Sequence, residues 1–139
     1  DREPDARKLF EAITGKEVAL CGSFDHPNIS NTSACPYGLL RAATSVLELK
    51  CPTHATHAKN LLSDKMPKNY EYQVMWQIAC TESDFAYFAS YHPDFPKELR
   101  LKWVKVEKDD SIIKSLEEAV RQFDIEIEDL IIKIQKGAN

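Results

Sequence analysis

At 139 residues, with 43% hydrophobic and 29% charged side chains, the chain has the size and composition of one ordinary globular domain spanning residues 1–139. That excludes a disordered or low-complexity protein; with no apolar run near ~20 residues and no charged-then-apolar start to the sequence, neither a membrane-spanning helix nor a secretory signal is expected. The formal net charge of −4 comes from residues 109–139, which carry four basic and eight acidic side chains; the balanced remainder permits a local basic groove without creating one.

In chain order, Ala6, Leu9, Phe10 and Ile13 at helical spacing predict a helix over 4–13, closed by Thr14-Gly15. The chain begins Asp1-Arg2-Glu3, without Met and already inside this helical pattern, so a truncated or processed piece is expected. Val18 to Phe24 reads as a strand, and Asp25 to Ser33, rich in Asn, Ser, Pro and Asp, as a loop. Leu39-Leu40 and Val46 to Cys51 read as two strands joined by a tight turn, with Pro52 stopping the second. A weak helix is expected over His54–Leu62 and a stronger one over Tyr70–Cys80. Phe85 to Tyr91 is an aromatic strand ended by His92-Pro93, and Leu101 to Val106 another that alternates apolar and basic. Asp109-Asp110 offers capping chemistry for a long helix over about 110–135. Its apolar stripe, from Ile113 and Leu116 through Val120, Phe123, Ile127 and Leu130 to Ile134, is expected to pack on the sheet, with its far end mediating oligomerisation. The order predicts an α/β (α+β) layer structure around a central mixed sheet.

The most informative string is Leu47-Glu48-Leu49-Lys50-Cys51-Pro52. Strand side chains repeat every two residues, so Glu48 and Lys50 share a face of an otherwise buried strand. A carboxylate beside an ammonium can hold a divalent cation and polarise a water or a phosphate oxygen; the competing reading is an ion pair on a half-exposed strand. Tyr70, Gln73 and Gln77 share one helix face, which suits either a groove of hydrogen-bonding groups or plain solvent exposure.

Four motifs in order extend the first string: Arg2-Glu3-Pro4-Asp5-Ala6-Arg7-Lys8-Leu9-Phe10-Glu11, Ala34-Cys35-Pro36-Tyr37-Gly38-Leu39, Tyr70-Glu-Tyr-Gln73-Val-Met-Trp-Gln77 and Tyr87-Phe88-Ala89-Ser90-Tyr91-His92-Pro93. Over about residues 1–110 this set resembles the lambda exonuclease/YqaJ-like viral recombinase family of PD-(D/E)xK nucleases, with a restriction-endonuclease-like core. The resemblance implies an Mg²⁺- or Mn²⁺-dependent 5′–3′ exodeoxyribonuclease of a phage or its bacterial host cell, cytoplasmic and not secreted. It acts on duplex DNA ends in recombination, as a trimer working with a single-strand annealing protein. By position, Glu48 and the backbone carbonyl of Leu49 are the implied metal ligands and Lys50 orients or activates the attacking water. Gln73 sits beside that water or the scissile phosphate, and Glu3 supports the metal site from the first helix. The family has Asp where this chain has Tyr37, and a neutral phenol, with a pKa near ~10, is a poor Mg²⁺ ligand. Asp25 and Asp64 are the candidate substitutes. The alternative is therefore a catalytically degenerate nuclease fold that serves as a binding module or inhibitor of a DNA-processing protein.

Other features carry less. The cysteines, Cys21, Cys35, Cys51 and Cys80, form no CxxC pair and read as free, mostly buried thiols rather than a disulfide framework. Cys51, His54 and His57, with Cys80 or Cys35 as a fourth donor, form a zinc-type set whose bland reading is two exposed loop histidines. Trp76, Trp103 and the aromatics of 85–91 are expected in the core rather than stacked on bases. Lys97, Arg100 and Lys102 could meet phosphates, but a solvated edge is the safer expectation.

Overall fold

The computed structural model describes residues 1–42 and 44–137. Five strands form a mixed sheet in the order β1 (Val18–Leu20), β4 (Gly38–Leu40), β5 (Ser45–Lys50), β6 (Phe85–Tyr91) and β7 (Leu101–Glu107). Neighbours are antiparallel except β5 and β6, which run parallel with Glu48 opposite Phe88 and Lys50 opposite Ser90. A parallel pair cannot be closed by a hairpin. The connection is made by α2 (His54–Leu61), a short 3₁₀ turn and α3 (Glu71–Thr81).

The two faces of β5 explain the layers. Leu47 and Leu49 point to α1 (Glu3–Thr14) and join Ala6, Phe10, Val18, Leu40, Ala89, Tyr91 and Leu101 in one core cluster. Val46 points the other way, into a second cluster with Val74, Met75 and Ile78 of α3, Ala86 and Ile113. Phe10, with no exposed surface, packs edge-on against Tyr87 and Trp103 at 6.2 and 6.3 Å between ring centroids, so truncating it should cost about 3–5 kcal/mol. Gly38 is needed for close approach: a Cβ there would meet Val18 Cγ1 at 2.8 Å and the Ala19 carbonyl oxygen at 2.9 Å.

Three expectations need correction. The strand expected over 18–24 is broken after Leu20, and Phe24–Asp25 (β2) instead pairs with Ser33–Ala34 (β3) in a separate two-stranded ribbon. That ribbon frames the expected loop, which His26 anchors: its Nδ1 accepts the amides of Asn28 and Ile29, its Nε2 meets Glu117 at 2.9 Å, and its ring stacks on Trp76 at 5.0 Å. Trp103 packs against the α1-side core, as expected, whereas Trp76 is half-buried on His26 and outside both core clusters.

The last helix, α4 (Asp110–Gly137), packs on the sheet only at its start, where Ile113, its single buried residue among those described, joins Val46 and Ala86 beside α3. Phe123, Ile127, Leu130 and Ile134 are exposed, Ile134 to 62%, so most of the apolar stripe meets no partner within the chain. Among the thiols, Cys80 alone is buried; Cys35 is exposed and Cys21 and Cys51 are intermediate, so "mostly buried" does not hold. The expected tight turn after Leu40 includes Ala43, which lies outside the described residues. Among the described residues no helix is long and apolar enough to cross a membrane.

Candidate active site

β5 supplies the centre of the site. On its α3 side Glu48 follows Val46 and is only 4% exposed, although a buried carboxylate is costly unless every oxygen is satisfied. Three donors satisfy it. Lys50 Nζ lies 2.7 Å from Oε1, Gln73 Nε2 donates to Oε1 at 3.3 Å, and Gln77 Nε2 donates to Oε2 at 2.8 Å. The two glutamines sit one turn apart on α3, so both reach the same carboxylate. Lys50 also rests over the Tyr70 ring, 5.2 Å from its centroid, and Tyr70 packs on Phe88. The ammonium is thereby held while its side chain keeps 29% exposure.

The site therefore unites Glu48, Lys50 and Gln73, and adds Gln77 and Tyr70, which the sequence placed only on the same helix face as Gln73. Their spacing from Gln73 was the available signal. Leu49 buries its side chain among the α1-side residues. The β4–β5 ladder ends at the Leu47–Gly38 pair, so among the described residues Glu48, Leu49 and Lys50 have ladder partners in β6 alone.

Tyr37 and Glu3 form a different group on the α1 side. Tyr37 packs against the α1-side core and its hydroxyl donates to the Glu3 carbonyl oxygen at 3.3 Å, so the phenol's hydrogen bond goes to α1 and not to Glu48. Burial pushes its pKa up, Arg7 opposes this, and the nearby Glu3 adds to it, so the phenol is neutral at physiological pH. Neither surrogate carboxylate serves Glu48. Asp64 meets Lys102 at 3.5 Å and Asp25 sits in the β2–β3 ribbon. Among the described residues no three His, Cys, Asp or Glu side chains cluster around Glu48.

For a divalent cation the donor set is thus short but usable. Glu48 is one carboxylate, and Gln77 Oε1 is a buried acceptor with no partner among the described residues. Mg²⁺ sites of one or two carboxylates completed by water and phosphate are common, and the residues fit that pattern at its lower limit.

The zinc-type set does not assemble, and the bland reading of two exposed loop histidines fails as well, because both lie in α2 and His57 is buried. His57 is fully buried with Nδ1 2.8 Å from Ser90 Oγ and Nε2 2.8 Å from the Leu99 carbonyl oxygen. A carbonyl only accepts, so Nε2 carries the proton and Nδ1 accepts from Ser90, to which Asn60 also donates. Both ring nitrogens are committed. Cys80 lies on α3, a different element from that of His54 and His57, and burial is the main cause of its pKa rise to about 11, with Asp25 and Glu117 adding to it. His54 instead meets His92 and Asp94, in a group the sequence did not connect.

Comparison with known proteins agrees with this architecture. Residues 1–84 match the family described as the YqaJ-like viral recombinase domain. No curated protein matches the chain. Among solved structures, the alkaline exonuclease LHK-Exo from Laribacter hongkongensis superposes with a TM-score of 0.93 at 33% identity, over 99% of this chain and 70% of that one. The same exonuclease in complex with dAMP gives the same values. A phage-related exonuclease from Haemophilus somnus 129PT covers 93% of this chain and 70% of its own length, with a TM-score of 0.72; at 13% identity that likeness shows the fold alone. On the family match and the LHK-Exo identity together, the chain belongs to the YqaJ-like viral recombinase family and has the fold of an alkaline exonuclease.

Proposed function

We propose that the chain is the nuclease core of a phage-type DNA exonuclease, hydrolysing phosphodiester bonds at duplex ends. The observation that carries this reading is the buried Glu48 carboxylate with Lys50 at 2.7 Å, just past the end of the β4–β5 ladder. Lys50, held by Glu48 and Tyr70 yet still partly exposed, would hold and polarise the attacking water. Gln73, sharing Oε1 of Glu48 at 3.3 Å, keeps its carboxamide oxygen for that water or the scissile phosphate. Glu48 and the Leu49 carbonyl would hold Mg²⁺ or Mn²⁺, with Glu3 supporting from α1. The cation's contribution is to lower the pKa of a bound water and to neutralise charge on the leaving oxygen. Family membership suggests action as a trimer with a single-strand annealing protein.

A second reading has its own support. Tyr37 turns to α1 and no further carboxylate joins Glu48, which favours a degenerate site that binds DNA or a DNA-processing protein without cutting. Linear duplex DNA with Mn²⁺ decides between them. Degradation by the wild type that falls by about 10²-fold or more in Lys50→Ala supports the enzyme. Degradation only by Tyr37→Asp establishes the second reading. If both proteins are inert, cleavage is ruled out and only the fold is retained.

A further inference from the structure

We propose that His54, His92 and Asp94 form a binding site for a divalent transition metal of the Zn²⁺ type, separate from the Glu48 group and independent of any nuclease activity. The end of β6, the turn that follows it and the first turn of α2 converge here. One donor atom from each of the three side chains lies within 4.8 Å of the others, the only such group of three among the described residues. His54 Nε2 and Asp94 Oδ2 are 3.3 Å apart. That is close to the spacing of about 3.3 Å between neighbouring ligand atoms on a tetrahedral ion with bonds of about 2.0 Å.

His92 carries the argument further. It is 1% exposed and cannot simply be solvated. Its Nδ1 faces the Asp94 amide N–H at 3.3 Å and its Nε2 faces Arg2 Nη1 at 3.1 Å. Both neighbours are donors, and a neutral imidazole has one lone pair, so the chain itself satisfies only one of the two contacts. Arg2 is exposed and precedes α1, so a metal at Nε2 would displace a contact made by a surface side chain. His54 and Asp94, with side chains 67% and 62% exposed, can close on the ion at little cost in burial. Phe95 walls the site, 5.5 Å from His92 and 6.1 Å from His54 between ring centroids. Two imidazoles and one carboxylate suit Zn²⁺, Co²⁺ or Ni²⁺ rather than the all-oxygen shell Mg²⁺ prefers. With three protein ligands, at least one position stays open to water.

Titration of tag-free protein with Co²⁺, read by its visible d–d absorption, and with Zn²⁺, read by calorimetry, tests the site. One equivalent should bind, with affinity at least tenfold weaker in His54→Ala and in His92→Ala and reduced in Asp94→Asn. Glu48→Gln should retain it. His54 is exposed, so its variant remains decisive even if His92→Ala does not fold. The inference is overturned if no stoichiometric binding occurs, if His54→Ala binds as the wild type does, or if binding is lost in Glu48→Gln instead.

Discussion

Gln77 donates its side-chain amide to Glu48 Oε2 at 2.8 Å, and both residues are almost wholly buried. Removing that donor strands one oxygen of a buried carboxylate. Gln77→Leu should therefore lose about 1–3 kcal/mol of stability in a urea melt. If the site cleaves DNA, turnover should also drop about tenfold, because Glu48 is no longer fixed in one orientation. A variant with unchanged stability would mean that Lys50 and Gln73 alone suffice to hold the carboxylate.

Tyr37 makes a separable prediction. Its ring contributes to the α1-side core and its hydroxyl bonds the Glu3 carbonyl, so Tyr37→Asp gives up packing whatever it does for metal binding. Loss of a partly buried aromatic should cost about 1–2 kcal/mol, while Tyr37→Phe should cost about 1 kcal/mol or less. Thermal melts of the two variants distinguish a packing residue from a silent replacement. An aspartate as stable as the wild type would show that the phenol contributes nothing to the core.

Much of the site was legible because it lies on one strand. The alternation of Leu47, Glu48, Leu49 and Lys50 fixes which side chains share a face before any partner is known. Gln77 was harder to assign. A polar stripe on a helix reads the same whether it faces solvent or a buried carboxylate, and only the sheet decides. The same limit explains the broken first strand: the apolar run 18–24 does not say whether it pairs with β4 or turns away at Gly22. His26 is held by Glu117, 91 positions along the chain, a contact no local pattern encodes. The group of His54, His92 and Asp94 was missed for the same reason, since α2 and the end of β6 meet only in the fold.

Helix α4 divides energetically at its first turns. Ile113 is 7% exposed within the α3-side core, so Ile113→Ala should destabilise by about 2–5 kcal/mol. Ile134, at 62% exposure, should tolerate alanine within about 0.5 kcal/mol. Chemical denaturation of the isolated protein checks the contrast. A large loss at Ile134 would mean that the stripe is covered in solution.

The cap of α4 should impose a pH dependence with a definite sign. Asp109 Oδ1 accepts from the Ser111 hydroxyl at 2.8 Å and from the amides of Ser111 and Ile112 at 3.0 and 3.2 Å. These bonds, the Ser111 hydroxyl first, hold its carboxyl below the usual carboxylate range. A depressed folded-state pKa stabilises the fold above the unfolded value of ~3.9, and that contribution is lost as pH falls through the folded value. Asp109→Ala should thus lower the melting temperature at neutral pH, with the difference from wild type shrinking as the acid range below ~3.9 is entered. A difference that persists unchanged in acid would assign the effect to something other than the carboxylate.

The thiols should react in an order set by burial. Cys80 is 5% exposed and its pKa is pushed up to about 11, chiefly by burial. At about pH 8 roughly one Cys80 side chain in a thousand is then the thiolate that reacts, against about a quarter for an ordinary thiol near ~8.5. Cys35 is exposed and should supply the first equivalent released from a disulfide reagent, an equivalent that Cys35→Ser removes. Cys21 and Cys51 are partly buried with raised pKa values, so they should follow more slowly. Cys80 should react only after denaturant is added. Its modification in native protein at the rate of Cys35 would show that α3 opens readily, which would also unseat the glutamines that hold Glu48.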